Sequence, residues 1–197
     1  MNVAIQPGQV NEIGNHEWSS EPQLAPDHIA FIAKAPFVFA MSGSPFAAPD
    51  VSPRGDAPGF VKVVDSRHLL LPDRAGNNRI DTIRNALQDP RVALVFICLG
   101  ESRALEVTGT AKILNDPALL AEFEIAERRP RSVMEITVTS SKLKASPALD
   151  LSAFWSIEEG HKVKVPTLGE ILAGQVGGMS KDEMEAMVAS SYIHKLY

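Results

Sequence analysis

The chain has 197 residues, 45% hydrophobic and 22% charged, which is ordinary for a folded globular protein and argues against disorder of the whole chain. That length allows one domain with a single substantial core and appended terminal segments. A formal net charge of -5 and a pI near 5.5 leave no global basic field, which argues against nucleic acid and anionic membrane as partners.

The first residues, "MNVAIQPGQVNEIGNHEW", lack a basic region followed by a long apolar one, and no stretch approaches the roughly 18 apolar residues of a membrane span. A soluble, cytoplasmic protein is expected. Cys98 lies within "VALVFICL" and reads as a small buried hydrophobe.

Residues 1–26 are polar, carry no sustained period and read as an extended arm. In "APDHIAFIAKAP", Asp27 is the expected N-cap of a short helix that Pro36 stops. "FVFAMSG" and "FAAPDVSP", separated by "SGSP", predict a hairpin whose second run is an edge or bulged strand, because of Pro49 and Pro53. "FVKVV" and "HLLLPD", joined at Asp65-Ser66-Arg67, predict a second hairpin. Ile80, Ile83 and Leu87 recur at helical spacing, so a helix is expected over 78–88, with Asp81 at N3 and Pro90 ending the segment. "RVALVFICLG" and "RALEVTGTAKIL" predict a long hairpin turning at "GESR", "DPALLAEFEIAE" a helix with Pro117 in its first turn, and "SVMEITVTSSKL" the last strand. Past Ala145 the pattern loosens, and two helical segments follow, one after Pro166 and one capped by Ser180. The expected organisation is therefore an arm (1–26), a mainly β domain (27–145) and a helical segment (146–197) that packs on the domain or on a partner. Six or seven antiparallel strands joined by hairpins suit a small closed or partly closed β-barrel, which removes most exposed strand edges.

Two clusters carry candidate chemistry. Along the extended run "PDVSPRG", Asp50, Ser52 and Arg54 point one way, and Val51 and Pro53 the other. A guanidinium on that face suits phosphate or carboxylate, Ser52 adds a hydroxyl, and Gly55 allows a ligand close to the backbone. In "PDRAGNNRIDTIR" a strand ends, a Gly-containing loop follows and a helix begins near Asn78. Helix N-termini attract anions, so Asn77, Asn78 and Arg79, with Arg84 further along, complete a phosphate clamp. The alternatives are an ion pair of Arg54 with Asp56 or Asp73, a capping role for the two asparagines, and a solvated Arg84. The five histidines show no metal-ligand spacing, and no Ser/His/Asp or CxxC arrangement is present.

"PDVSPRGDAPGFVKV", "LLLPDRAGNNRIDTIRNALQDPRVALVF" and "LEVTGTAKI" together resemble the pyridoxamine 5'-phosphate oxidase-like superfamily of FMN-binding split barrels, in particular its bacterial oxidase-related branch. The similarity runs from about Asp27 to Lys142, with "PTLGEILAGQ" and the terminal "LY" resembling that branch's C-terminal segment. It implies a six- to seven-stranded antiparallel split β-barrel, homodimeric, with FMN at the interface. Ser52 and Arg54 match positions that contact phosphate and flavin ring. Leu71, Pro72 and Asp73 match the backbone beside the ring, and Asn77, Asn78 and Arg79 match the phosphate end. Lys142 matches a last-strand lysine, although "VTSSKL" lacks the His-Cys pair that often precedes it. Trp155 could stack on the flavin across the dimer or anchor a tail in packing. The Arg-x-His-type substrate motif of true pyridoxamine phosphate oxidases is replaced by "SSYIHKLY", so the resemblance does not extend to vitamin B6 oxidation. It implies an FMN-dependent oxidoreductase exchanging hydride with a small organic or nicotinamide donor. A flavin- or haem-binding module without turnover is the alternative.

Overall fold

Alternation of apolar and polar residues over short runs dictates strands, and the structure, a computed structural model describing residues 22–45, 47–74, 80–156 and 165–195, contains seven of them among those residues. They are β1 (Phe37–Ser44), β2 (Ala47–Gly55), β3 (Lys62–Asp65), β4 (His68–Asp73), β5 (Arg91–Ile97), β6 (Arg103–Leu114) and β7 (Ser132–Ala145). All pair antiparallel in one sheet of order β2-β1-β5-β6-β7-β4-β3. The hydrogen-bonded ladder does not close: β2 and β3 are its two edges. Of the closed and partly closed forms expected, the structure has the partly closed one, with seven strands, and side chains rather than backbone link β2 to β4 across the gap, as described below.

Each long strand puts every second side chain into the core. Val38 and Ala40 from β1, Leu94 and Phe96 from β5, and Ile136 and Val138 from β7 are at most 1% exposed. Burying each of the larger ones is worth about 1.5–3 kcal/mol. The helix α1 (Pro26–Ile32) adds Phe31 and Ile32 to the same cluster. Its N-cap is Ala25 and Pro26 takes the first helical position, so Asp27 lies inside the first turn and is not the cap. Residues 1–21 of the expected arm lie outside the described residues; Leu24, at 2% exposure, already belongs to the core.

The helix α2 (Asp81–Gln88) starts later than the periodicity suggests. Ile80 is its N-cap and Asp81 its first residue, so neither Asn78 as the start nor Asp81 at N3 holds. Apolar spacing marks the face of a helix but not its first hydrogen bond, which explains the difference. Asp116 caps α3 (Pro117–Ala121) by accepting from the N–H groups of Ala118 and Leu119. Leu119 and Leu120 then pack with Phe123 on Leu70 and Val133. A short helix unforeseen in the sequence, α4 (Pro147–Leu151), follows β7 with Pro147 in its first turn. Two further helices, α5 (Leu168–Val176) and α6 (Lys181–Lys195), pack against each other, with Lys181 paired to Glu170. Both carry capping boxes, Thr167 with Glu170 and Ser180 with Glu183. Gly169 permits their close approach, since a Cβ there would lie 2.5 Å from the Glu185 carboxyl carbon. Among the described residues no helix is long and apolar enough to cross a membrane.

A candidate anion site where the two ends of the sheet meet

The strand β2 is exposed on its Val51, Pro53 and Gly55 side and half-buried on its Asp50, Ser52 and Arg54 side, as the alternation demands. The polar face is turned toward the body of the protein, where β2 meets β4 from the opposite end of the sheet order. Arg54 there donates from Nη1 to Oδ1 of Asp73 at 2.7 Å, and the two side chains are 19% and 17% exposed. A guanidinium has five N–H donors, and among the described residues Asp73 is its one hydrogen-bond partner, which leaves others for a ligand.

Arg54 and Asp73 line a narrow crevice with Leu71 and Pro72 from β4, Thr82 and Ile83 from α2, and Ile113, Ser132 and Met134 from β6 and β7. Its walls are mostly apolar, with a cation, a carboxylate and two hydroxyls at defined points. The helix α2 is fixed over it by polar contacts: Thr82 Oγ1 donates to Asp50 Oδ2 at 2.7 Å, Asn85 Nδ2 donates to Ser42 Oγ at 3.2 Å, and Gln88 Oε1 accepts from Ser44 Oγ at 2.6 Å. The crevice has room for about one water molecule, so a half-buried guanidinium at its mouth fits the phosphate end of FMN, while the flat ring would lie outside it.

Of the residues singled out from the sequence, Arg54, Leu71, Pro72 and Asp73 are brought together here. Ser52 shares the face of Arg54 one step back along β2. Gly55 faces outward, and its missing side chain accommodates Pro36 O and Phe37 of the chain itself, 3.3 and 3.4 Å from where a Cβ would sit. Arg84 is on the exposed face of α2. Asn77, Asn78 and Arg79 lie outside the described residues. Lys142 stands at the far end of β7, opposite Glu106 of β6, well away from the crevice. Trp155 donates from Nε1 to Glu101 O at 3.2 Å and meets Phe154 edge to face, which ties the segment after α4 to the turn between β5 and β6.

The sequence did not single out Thr82, Ile83, Ile113, Ser132 or Met134 for the site. Their pattern is that of ordinary strand and helix residues, and only the fold of the sheet brings them to Arg54. It did not single out Arg74 either. Arg74 Nε lies 2.6 Å from Asp56 Oδ2, and Arg74 Nη1 donates to Phe123 O at 3.0 Å. Arg54 with Asp73 and Asp56 with Arg74 thus form two crossed ion pairs between the ends of β2 and β4, in place of a backbone ladder. Among the described residues no cluster of three or more His, Cys, Asp or Glu side chains could hold a metal ion.

A sequence profile of the family described as pyridoxamine 5'-phosphate oxidase matches residues 24–153. No curated protein sequence matches the chain. Among solved structures, HupZ of Group A Streptococcus shares the fold, with a TM-score of 0.50 at 12% identity over 62% of this chain and 95% of that one. The general stress protein 26 of Bacillus anthracis matches at 16% identity and a TM-score of 0.44, over 58% of this chain and 89% of its own. An FAD binding protein from Mycobacterium smegmatis matches at 16% identity and a TM-score of 0.42, over 63% and 97%.

Proposed function

This chain belongs to the pyridoxamine 5'-phosphate oxidase family, and from that premise we propose that it is an FMN-dependent oxidoreductase acting on a small organic or nicotinamide substrate. The observation that carries the reading is the half-buried Arg54 guanidinium, held at the mouth of an apolar crevice by one bond to Asp73. When bound, FMN would supply the hydride chemistry at its N5, and the protein would bind, orient and tune it. In this reading Arg54 holds the phosphorylated end, with Asn77, Asn78 and Arg79.

A homodimer is part of the proposal. The outward faces of β1 and β5 align Phe37 with Ile97, Phe39 with Val95 and Met41 with Ala93, and β2 adds Pro53 beside Phe39 and Val51 beside Met41. These side chains are half-buried or exposed, and together they form a contiguous apolar face of the kind that a second copy covers. Lys142 and Glu106 stand on the same side as Val95, beyond its edge.

A second reading, a flavin- or haem-binding module without turnover, draws on one observation: among the described residues lining the crevice Asp73 is the only carboxylate, and Arg54 engages it. The test is a visible absorbance spectrum after FMN is added and the excess removed, for the wild type and Arg54→Ala. Retained flavin bands are expected, with affinity falling about tenfold to a hundredfold in the variant, as the loss of one charge-assisted hydrogen bond of about 1.5–3 kcal/mol implies. Unchanged affinity would remove the clamp. Reduction of the bound flavin by NADH or NADPH and reoxidation by oxygen separate the oxidoreductase from the module.

A further inference from the structure

The anion site rests on the end of an edge strand. β2 is hydrogen-bonded in the sheet to β1 alone, and Arg54 is its penultimate residue. On the other side no ladder holds it, so the placement of the Arg54 guanidinium depends on its bond to Asp73 and on what grips the chain just beyond. The next residue but one, Asp56, is gripped. Its side chain is only 10% exposed and its carboxylate faces Arg74, itself 17% exposed. The Nε and Oδ2 atoms are close but off the N–H axis, so charge rather than a straight hydrogen bond carries the contact. Asp56 Oδ1 accepts from the N–H of Ala57 at 2.8 Å, and the Asp56 N–H donates to Pro36 O at 3.1 Å.

Arg74 is anchored in turn. Its Nη1 bond to Phe123 O ties it to the turn after α3, and Lys62 closes that turn from above, 4.3 Å from the centre of the Phe123 ring and 3.0 Å from Glu122 O. The neighbouring Asp73 has its carbonyl bound by the N–H of Arg131 at 3.0 Å. One arginine thus joins the exit of β2, the end of β4 and the turn leading to β7, and among the described residues its polar side-chain partners, Asp56 and Phe123, lie outside the crevice lining.

We propose that Arg74 is a positioning residue: by holding Asp56 it fixes the end of β2 so that Arg54 presents its free N–H groups to the phosphate of the bound ligand. This rests on the reading of the crevice as a flavin phosphate site. Arg74 therefore governs selection of a phosphorylated over an unphosphorylated ligand without touching either.

The test compares FMN with riboflavin, which lacks the phosphate, by fluorescence titration of the full-length protein. Arg74→Gln keeps a donor for Phe123 O but removes the charge facing Asp56. It is expected to weaken FMN about tenfold, the lower end of one lost charge-assisted bond, and to leave riboflavin affinity unchanged. Arg74→Lys, which keeps the charge, should recover part of the preference. Equal losses for both ligands, or an unchanged preference, would overturn the proposal, because a merely structural role does not distinguish them. Should Arg74→Gln not fold, Asp56→Asn removes the partner charge and the same comparison decides. Arg54→Ala separates the two levels: if it leaves the preference intact, the phosphate reading itself fails, whereas a preference lost in Arg54→Ala but kept in the Arg74 variants refutes only the positioning role. A wild type that binds neither flavin overturns both.

Discussion

Ser141 shows how one residue is decided by its neighbours. It immediately precedes Lys142 on β7 and turns inward, fully buried, where its hydroxyl donates to Gln23 O at 2.8 Å and lies 2.9 Å from His28 Nδ1 on α1. A buried hydroxyl satisfied on both sides stabilises the junction of α1 with β7, while Lys142 points the other way. Cys98 is similarly structural: it is 9% exposed, and burial, with Glu101 nearby, pushes its thiol above the usual range, which makes it a poor nucleophile. At both ends of β5 a carboxylate grips the arginine two residues on. Asp89 accepts from Arg91 Nε at 2.9 Å and from its backbone N–H at 3.1 Å; Glu101 accepts from Arg103 Nε at 3.0 Å and from its backbone N–H at 3.2 Å. The Arg91 side chain, foremost, holds the Asp89 carboxyl down at about 2, below its ordinary 3.8. A depressed carboxyl stabilises the fold fully above its unfolded value and loses that contribution as pH falls through its folded value, so the relevant window is from about pH 4 to pH 2. In thermal melts across that window, the advantage of the wild type over Asp89→Asn is expected to vanish toward the acid end. Because Arg91 is largely solvent-exposed, the effect is small.

Among the elements, the strands follow from alternation, and their turns from local chemistry. The second hairpin turns where Asp65 Oδ1 accepts from the N–H of Arg67 at 2.7 Å. The bulge in the β6–β7 ladder is different, because nothing in "VTGTAKIL" beyond one glycine announces it. At Gly109 the register shifts, and a Cβ would sit 2.3 Å from Thr137 O and 2.9 Å from Ile136 Cγ2. Gly109→Ala is therefore expected to destabilise the protein by about 1–3 kcal/mol, as overpacking against backbone does. A shift of the denaturation midpoint in urea measures it, and an unchanged midpoint would mean that the ladder yields there at no cost. Helix ends behaved unevenly for a related reason. The caps of α3, α5 and α6 are side-chain bonds written in Asp116, Thr167 and Ser180, whereas α1 and α2 begin at Ala25 and Ile80, which have no capping side chain.

For the whole molecule, the open ladder matters most. A seven-stranded sheet leaves two edges, and here the edge strand β2 is tied across the gap to the end of β4, next to the other edge, by Arg54 with Asp73 and Asp56 with Arg74, with α2 over the gap. The apolar outer face of β1, β2 and β5 raises a separate question of assembly. Phe39 sits at its centre, flanked by Pro53 and Val95 and in edge-to-face contact with Phe37 at 4.9 Å. A charge at its middle should prevent a second copy from docking, since burying an unpaired carboxylate costs far more than one apolar contact contributes. Light scattering is expected to give twice the 21.3 kDa chain mass for the wild type and the single mass for Phe39→Glu, with the fold retained by circular dichroism. A wild type of single mass would end the homodimer proposal.

The sequence by itself determined the strands, most of the helices, the polar face of β2 and the family, because these depend on periods of a few residues and on motifs that survive in linear order. Only the tertiary structure decided what Arg54 meets. Asp73 lies nineteen positions away, on a strand at the other end of the sheet order, and the contact exists because the sheet curls until its ends face each other. The same curling brings Arg74 to Asp56 and carries Ile113, Ser132 and Met134 to the crevice, while it leaves Lys142 at the far end of β7. Local propensity encodes which face of a strand is polar; the closure of the sheet, a sum of twist and core packing over seven strands, selects the partners that face acquires.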